Sequence, residues 1–271
     1  MNAISKNNPT VLLGLPSDEN SSYLRGCAEA PMKIRSALLS ESANMWNELG
    51  DELKLGKSYA DLGDMNLIEG AEGFAAITSV INQQLASGNQ VISLGGDHAV
   101  TFPILQAYGK HYPDLTILHF DAHSDIYDNF QDNPLSHASP FARIMENKLA
   151  KRLVQVGIRT LSQHQRDQIA RFKVEFFSVN QLEDVLELDL KGPLYISLDM
   201  DALDPAFAPG VSHHEPGGLT TRDILNVLHS IKAPVVGADI VEYNPHRDIN
   251  DMTAMVAAKF LREILGLMNR Q

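Results

Sequence analysis

Several features of secreted, membrane-bound or disulfide-stabilised proteins are missing from this 271-residue sequence. It contains one cysteine, Cys27, which excludes an internal disulfide framework and favours a reducing compartment. No uninterrupted apolar run approaches the roughly 20 residues that a membrane-spanning helix needs. The first ten residues, MNAISKNNPT, lack the apolar segment of a signal peptide. We therefore predict a cytoplasmic protein with no membrane partner.

Positive charge is also scarce. The chain has 22 Lys and Arg against 34 Asp and Glu, giving a formal net charge of -12. Because phosphate binding needs a basic face, this balance argues against nucleic acid as a partner. If several of the acids bind a metal, the effective surface charge is smaller. The hydrophobic content of 44% is that of an ordinary globular protein.

The apolar segments of the chain indicate the fold. Near-continuous hydrophobicity is typical of strands buried on both faces of a parallel sheet, and helical patterns lie between these segments. Alternating strands and helices predict right-handed βαβ units, and hence one α/β domain over residues 1–271 with three α/β/α layers and a mainly parallel sheet. The predicted strands are 11–15, 91–94, 116–120, 153–156, 195–198 and 235–238, and the predicted helices are 74–86, 140–148, 221–231 and 252–268.

Polar side chains follow four of the predicted strands, at the point where each strand ends. In open α/β sheets the carboxyl ends of the strands share one edge, where ligands bind. Four strands that deliver acids and histidines to that edge indicate a common site. The segments concerned are Gly95-Gly96-Asp97-His98, Asp121-Ala122-His123-Ser124-Asp125, Asp199-Met200-Asp201, and Asp239 with Glu242.

Each segment has a simpler interpretation when it is taken alone. Asp97 is a plausible helix cap in a tight turn, and Asp199 and Asp201 are plausible caps before the turn at Asp204-Pro205. The segment 121–125 is harder to explain in this way. Alternation by two places its carboxylates on one side of an extended chain, where they repel each other unless a cation lies between them.

Taken together, the polar residues predict a metal site. Four carboxylates and two imidazoles are too many ligands for one small cation, and they suit two divalent ions with bridging carboxylates. A carboxylate-rich set with imidazole and no nearby cysteine favours Mn²⁺ over Zn²⁺, Fe²⁺ or Co²⁺. The predicted ligands are His98, Asp121, His123, Asp125, Asp199 and Asp201.

Three of these segments resemble the signatures of the ureohydrolases, the binuclear manganese enzymes that include arginase and agmatinase. They are GGDH at 95–98, DAHSD at 121–125 and SLDMDALDPAFAPG at 197–210. The segments DIYDNF, SHASPFARIME and FAPGVSHHEPGGLT are most similar to plant-type arginases. The resemblance extends from about Val11 to the final helix. It implies an arginase-like fold, two Mn²⁺ per chain held by the six predicted ligands, and a homotrimer or homohexamer.

The resemblance also implies a reaction. Hydroxide shared by the two ions would attack the guanidinium carbon of the substrate, and Asp125 would relay its proton to the departing nitrogen. Glu242 would pair with the guanidinium, and His137 would shuttle protons. Asn133, in the loop 127–133, is predicted to bind substrate. Among the ligands, the bridging carboxylates would be Asp121 and Asp199, with His98 on one ion and His123 and Asp201 on the other.

Glu242 and His137 each keep an alternative interpretation. Glu242 is alternatively a surface acid beside the Asn244-Pro245 turn, and His137 a polar residue that opens a helix. Other polar residues are given supporting roles. Asp97 and Asp239 are expected to orient metal-bound histidines, His119 and His229 to pack, His213 and His214 to face the tail of the substrate, and Arg159 to form structural or subunit ion pairs.

The predicted activity is hydrolysis of L-arginine to urea and ornithine. An agmatinase that releases urea and putrescine is the alternative, followed by hydrolases of guanidinobutyrate or formiminoglutamate. Two other classes are disfavoured. A metal-dependent deacetylase would use one metal with an Asp/His/Asp set, and a non-catalytic metal-binding relative would be expected to lose Glu242 or His137.

Overall fold

The computed structural model describes residues 9–270, which contain an eight-stranded sheet. All neighbouring strands pair in parallel, in the order β2-β1-β3-β8-β7-β4-β5-β6. The strands are β1 (Thr10–Leu15), β2 (Tyr59–Asp64), β3 (Gln90–Gly95), β4 (Thr116–Phe120), β5 (Arg152–Val156), β6 (Glu175–Phe177), β7 (Leu194–Asp199) and β8 (Val235–Val241).

Helices cover both faces of this sheet, because its central strands are apolar on both sides. On β1, Leu12 packs into one hydrophobic core with α1, α7 and α8, while Val11 packs into the other with α2, α3 and α4. The predicted three-layer α/β/α architecture is therefore confirmed. The helices are α1 (Ala30–Leu38), α2 (Ala71–Ala86), α3 (Thr101–His111), α4 (Pro140–Glu146), α5 (Gln163–Phe172), α6 (Leu182–Leu186), α7 (Thr221–Ser230) and α8 (Met252–Asn269).

The order of the strands positions the site. The strands β3, β8, β7 and β4 are consecutive neighbours at the centre of the sheet. These are the four strands that polar residues follow in the sequence. Because all of them run in parallel, their carboxyl ends form one continuous edge.

The sequence predicted the six inner strands but not β2 and β6. Both of these lie at the edges of the sheet. Most of β2 is exposed, and its sequence YADLGD has no apolar run, while the three residues of β6 are only half-buried. An edge strand buries less surface, so it lacks the continuous hydrophobicity by which the inner strands were recognised. Helices α1, α3, α5 and α6 were not predicted either.

Two predictions concern the membrane and the N-terminus. Between residues 9 and 270, no helix is both long enough and apolar enough to cross a membrane. The segment in which no signal peptide was recognised falls almost entirely outside the described residues.

Candidate metal centre and active site

The carboxyl ends of the four central strands deliver the polar residues to one place. The chain leaves β3 into a short 3-10 turn at His98, and leaves β7 into another at Met200–Ala202. The two turns are capped by the side chains of Asp97 and Asp199, which accept the backbone N–H groups of Ala99 and Asp201. These caps fix the direction in which the following side chains leave the sheet.

One group of side chains surrounds the imidazole of His98. Its Nδ1 atom lies 3.1 Å from Asp125 Oδ2, 3.1 Å from Asp199 Oδ2 and 3.4 Å from Asp121 Oδ2. All four residues are buried. Their ligand atoms lie within 4.8 Å of one another, which is close enough for one metal ion to contact them all.

A second group shares Asp121 with the first. His123 Nδ1 lies 3.1 Å from Asp201 Oδ2 and 3.4 Å from Asp121 Oδ1. The two oxygens of Asp121 thus face different imidazoles. The structure brings all six predicted ligands together, in two overlapping groups that meet at one carboxylate.

Hydrogen bonds around His98 identify which ring nitrogen carries a hydrogen. The carboxylate of Asp239 accepts the hydroxyls of Thr101, Tyr195 and Ser197 at 2.7–3.0 Å. Because the Ser197 hydroxyl donates its hydrogen to Asp239, the Ser197 oxygen accepts a hydrogen from His98 Nε2 at 3.0 Å. In the neutral ring, Nδ1 then carries the lone pair. Asp239 orients His98 through Ser197, as expected of it.

The lone pair on His98 Nδ1 supports a metal at this point. Within the part of the chain that the structure describes, this atom has no hydrogen-bond partner although it is fully buried. It faces three carboxylate oxygens, which repel a lone pair unless a cation lies between them. The donor set and the unpartnered nitrogen therefore fit a divalent ion.

The pKa values of the acids and histidines in the centre also indicate that a cation is needed there. Burial and the charges of Asp201 and Asp121 raise the pKa of Asp199 well above its usual value. Burial also raises the pKa of Asp201 to about 6, although His123 opposes this shift. Burial lowers the pKa of His98, but its three carboxylate neighbours outweigh it and hold the pKa well above the usual value. When no metal is bound, these residues therefore bind protons, which balance the charge of the carboxylates instead of the metal.

Glu242 lies directly beside this centre rather than on the surface. It is 3% exposed, and its backbone has a φ of 61°, which is uncommon for a residue other than glycine. Its Oε1 atom accepts the backbone N–H of His98 at 2.9 Å and bonds His137 Nδ1 at 2.8 Å. Although burial opposes ionisation, His137 lowers the pKa of Glu242 to about 2. The alternative interpretation of Glu242 as a surface acid is wrong.

His137 is buried between Glu242 and a serine. Its Nε2 atom lies 2.8 Å from Ser22 Oγ, and the pairing with Glu242 outweighs burial to raise its pKa to about 9. Helix α4 begins three residues later, at Pro140, so His137 does not open it. Asp97 holds the loop that carries Ser22 by accepting the backbone N–H of Asn20 at 2.9 Å. Neither this loop nor Ser22 was predicted, because nothing in its short polar sequence marks it.

A cavity of about 170 Å³ lies over the centre. Its walls include Asp125, His137, Glu242, Tyr127 and Phe130. The cavity is thus lined by both acidic and aromatic side chains. It is the place where a small cationic substrate would meet the centre.

Asn133 does not line this cavity. Its amide nitrogen donates to Asn20 Oδ1 at 3.0 Å, and its amide oxygen accepts the backbone N–H of Leu135 at 2.9 Å. It therefore joins its own loop to the loop of Asn20. The two histidines expected to face the substrate differ from each other: His213 lines the cavity, whereas His214 is exposed and bonds the carbonyl oxygen of Pro209 at 2.8 Å.

Arg159 supports the centre without forming an ion pair with any residue from 9 to 270. Its guanidinium donates to the carbonyl oxygens of Asp201 at 2.7 Å and Glu215 at 2.6 Å, and to three further carbonyls. These bonds hold the loop that carries Asp201. Arg159 thus has the predicted structural role, but within the described part of the chain it acts through carbonyl oxygens and not through ion pairs; ion pairs between subunits stay a prediction.

The packing role predicted for His119 and His229 is incomplete, because both side chains also form hydrogen bonds. His119 Nε2 lies 2.8 Å from Asp121 Oδ2, and His229 Nε2 lies 2.8 Å from Glu263 Oε2. A hydrophobic strand or helix pattern does not show which polar atom of a neighbouring element a buried histidine meets.

Comparison with known proteins gives consistent results. Residues 8–266 match the model of the Arginase family. "Arginase 1, mitochondrial" of Arabidopsis thaliana is 46% identical over 279 residues, which cover 96% of this chain and 81% of that protein. An agmatinase of Bacillus anthracis is 34% identical over 94% of this chain and 90% of its own length. The solved structure of an arginase from Medicago truncatula superposes with a TM-score of 0.91 at 40% identity, covering 97% of this chain and 88% of that one.

Proposed function

Because the chain belongs to the arginase family and is a ureohydrolase that acts on guanidino substrates, we propose that it hydrolyses L-arginine to urea and ornithine. The observation that carries this proposal is the cavity that places Glu242 and His137 beside the buried cluster of acids and histidines. The choice of arginine is supported by the plant arginases among its relatives, at 46% identity against 34% for the agmatinase.

We propose that the centre holds two Mn²⁺ ions per chain. Divalent ions lower the pKa of water and so supply a nucleophile near neutral pH. The support for two sites is that the ligand atoms form two groups with Asp121 in common. The residues that would hold the ions are His98, Asp121, His123, Asp125, Asp199 and Asp201.

The proposed role of Glu242 is to bind the substrate guanidinium. Its Oε1 atom is already engaged by His98 N and His137 Nδ1. Among residues 9–270, its Oε2 atom meets only the weak thiol donor of Cys27, at 3.7 Å. Oε2 is thus the oxygen with free capacity, and a carboxylate there pairs with a guanidinium through charge-assisted hydrogen bonds.

The proposed role of His137 is to exchange protons with the reacting groups. It lies between Ser22 Oγ and Glu242 Oε1, so both of its ring nitrogens have a partner and its orientation is fixed. Asp125 is proposed to accept the proton of the attacking water and to pass it to the departing nitrogen. A leaving amine needs such a proton because its anion is a poor leaving group.

The tail of the substrate is proposed to lie toward the rim of the cavity, near His213 and the loop of Asn133. Agmatine is the second candidate substrate, since it carries the same guanidinium and an agmatinase is among the relatives. A deacetylase with a single metal is disfavoured because two groups of ligands meet at Asp121.

The experiment that tests this function is urea release by Mn²⁺-loaded protein from L-arginine, agmatine and 4-guanidinobutyrate. We expect kcat/KM to be highest for arginine by at least about tenfold, which corresponds to 1.4 kcal/mol. A higher value for agmatine would select the second candidate. Release of urea from none of the three compounds would contradict the proposed activity.

Three predictions remain as they were made. We propose one catalytic domain over residues 1–271, assembled into a homotrimer or homohexamer. A cytoplasmic location also stays a prediction, and the name of the Arabidopsis relative assigns that protein to the mitochondrion.

A further inference from the structure

His119 makes contacts that the proposed reaction does not use. It lies on β4 two residues before Asp121, and its ring is fully buried. Its Nε2 atom lies 2.8 Å from Asp121 Oδ2, and its Nδ1 atom lies 3.0 Å from the side-chain nitrogen of Gln155. Gln155 sits directly opposite on the neighbouring strand β5. Both ring nitrogens therefore have a partner.

The orientation of the Gln155 amide is fixed by Ser124. The backbone carbonyl oxygen of Ser124 can only accept, so the Gln155 atom 2.7 Å from it is the amide nitrogen. The amide oxygen then accepts the Ser124 hydroxyl, at 2.5 Å. The second hydrogen of the amide nitrogen points to His119 Nδ1, which must accept it.

These bonds determine where the hydrogen of the His119 ring lies. With Nδ1 acting as an acceptor, a neutral imidazole carries its hydrogen on Nε2 and donates it to Asp121 Oδ2. We infer that Gln155 and Ser124 hold His119 in this tautomer, and that His119 is a positioning residue for Asp121. The inference rests on the proposed binding of metal at the centre, and it does not depend on which guanidino compound is the substrate.

Asp121 is the residue at which such a constraint matters most. Its Oδ1 atom faces His123 and accepts the His123 backbone N–H at 2.5 Å, while its Oδ2 atom faces His98. A rotation of this carboxylate would disturb both groups of ligands at once. The bond from His119 fixes Oδ2, and groups that orient a ligand in this way commonly change metal affinity about 10- to 100-fold.

His119 is also close enough to His98 and Asp121 to be considered a ligand itself. The hydrogen bonds argue against that role. A ligating imidazole needs a free lone pair, and the lone pair on Nδ1 is directed at Gln155, away from Asp121. We therefore expect the number of ions bound at saturation to be independent of His119.

The test is calorimetric titration of metal-free protein with Mn²⁺. His119→Phe keeps a flat ring against Phe141 but removes the donor, and we expect it to weaken binding about 10- to 100-fold. His119→Gln places an amide N–H near the position of Nε2, and it should recover most of that loss. Tyr108→Phe is the matched control, because it removes a fully buried hydroxyl that bonds the backbone of β3 and β8 and contacts no predicted ligand.

Gln155 provides a second test that leaves His119 intact. Gln155→Glu replaces the amide donor by a carboxylate oxygen, which competes with Asp121 Oδ2 for the hydrogen of the neutral ring. Gln155→Met removes the donor without supplying a competing acceptor. We expect Gln155→Glu to weaken Mn²⁺ binding more than Gln155→Met does, an order that loss of packing alone would not produce.

Several results would overturn the inference. Unchanged Mn²⁺ affinity in folded His119→Phe would mean that the ring only packs. Equal losses of Mn²⁺ affinity in His119→Gln and His119→Phe, or in the two Gln155 variants, would show that the hydrogen donated to Asp121 does not affect metal binding. If a His119 variant binds one ion fewer per chain than the wild type at saturating Mn²⁺, His119 is itself a ligand. If the wild-type protein binds Mn²⁺ and the variants behave as expected while no urea is released, the proposed activity fails and this inference stands.

Discussion

Two clusters of acidic side chains in this molecule differ in how their charge is balanced. In the first, which we call the helix cluster, Glu263 on α8 is fully buried and accepts from His229 Nε2 and from the ammonium of Lys259. It also accepts the backbone N–H of Glu48 at 2.9 Å, and Glu48 pairs with Arg222 at 2.6 Å. Each carboxylate has a cation from the chain beside it.

In the described part of the chain, no lysine or arginine pairs with the acids of the metal centre. Within residues 9–270, its four aspartates have only the imidazoles of His98, His119 and His123 as salt-bridge partners. One of those imidazoles directs an unpartnered nitrogen at three carboxylates. The comparison teaches that a buried acid alone does not identify a site. A buried acid without a lysine or arginine partner among the described residues is the better indication of a metal site.

The largest effect is expected from Asp121→Asn, which removes a charge that both groups of ligands share. Because a neutral amide is a weak metal ligand, the Mn²⁺ content should fall. Turnover should drop by more than about 100-fold, since changes to residues that only support the ligands commonly cost about 10- to 100-fold. Metal analysis and urea release are the measurements. Glu48→Gln, which removes an acid from the helix cluster, should keep normal metal content. Normal metal and rate in Asp121→Asn would mean that the cluster has been misassigned.

A smaller but more selective effect is expected from Glu242→Gln. This change keeps the shape and removes the charge that pairs with the guanidinium, so bound metal should remain. We expect kcat/KM to fall by at least about two orders of magnitude, each 1.4 kcal/mol being tenfold. Parallel metal analysis separates substrate binding from metal binding. A variant that turned over guanidino substrates normally would contradict the proposed pairing of Glu242 with the guanidinium.

His137→Ala should act on the chemical step. Removing a group that transfers protons commonly costs about 10²- to 10⁴-fold, and kcat should fall more than KM rises. Because the change opens space beside Ser22, imidazole added to the buffer should restore part of the rate. Steady-state kinetics with and without imidazole measure both effects. If KM rises and kcat is unchanged, His137 binds substrate instead of exchanging protons.

In the helix cluster, the corresponding change should affect stability and leave metal binding intact. Glu263→Ala leaves the partly buried His229 without its carboxylate and leaves Lys259 paired only with the exposed Glu48. We expect a cost of about 3 kcal/mol in the free energy of unfolding. Urea denaturation of metal-free protein measures this cost. Mn²⁺ affinity measured on the folded variant serves as the control.

The pH dependence of that cost sharpens the comparison. Burial raises the pKa of Glu263, but the hydrogen bonds from Lys259 and His229 outweigh burial and lower that pKa below its usual value of 4.5. A carboxylate whose pKa is lowered by folding contributes stability that is present above its unfolded pKa and lost as the pH falls through its folded pKa. The difference between wild type and Glu263→Ala should therefore shrink below about pH 4.5. A difference that stayed constant down to pH 2 would show that lost packing, not charge, explains the cost.

Features that depend on local sequence pattern, such as the inner strands and the polar residues at their ends, could be predicted from the sequence. Inner strands such as β4 are apolar throughout, and their polar ends carry the ligands, so the parallel core and the meeting of six side chains could be inferred. The contacts of His119 with Gln155 and of Ser197 with Asp239 depend on register between neighbouring strands, which a single strand does not reveal. The same holds for Ser22, whose loop reaches His137 only through the tertiary fold.

The most direct test of the account is to count the ions that the metal centre takes up. Metal-free protein should bind two Mn²⁺ per chain, and urea release should appear as the sites fill. The reason is that the acids of the centre need a cation that no lysine or arginine between residues 9 and 270 provides. Elemental analysis after equilibrium dialysis, paired with the urea assay, gives both quantities. One ion per chain at saturating Mn²⁺ with full activity, or full activity with no metal, would contradict the account.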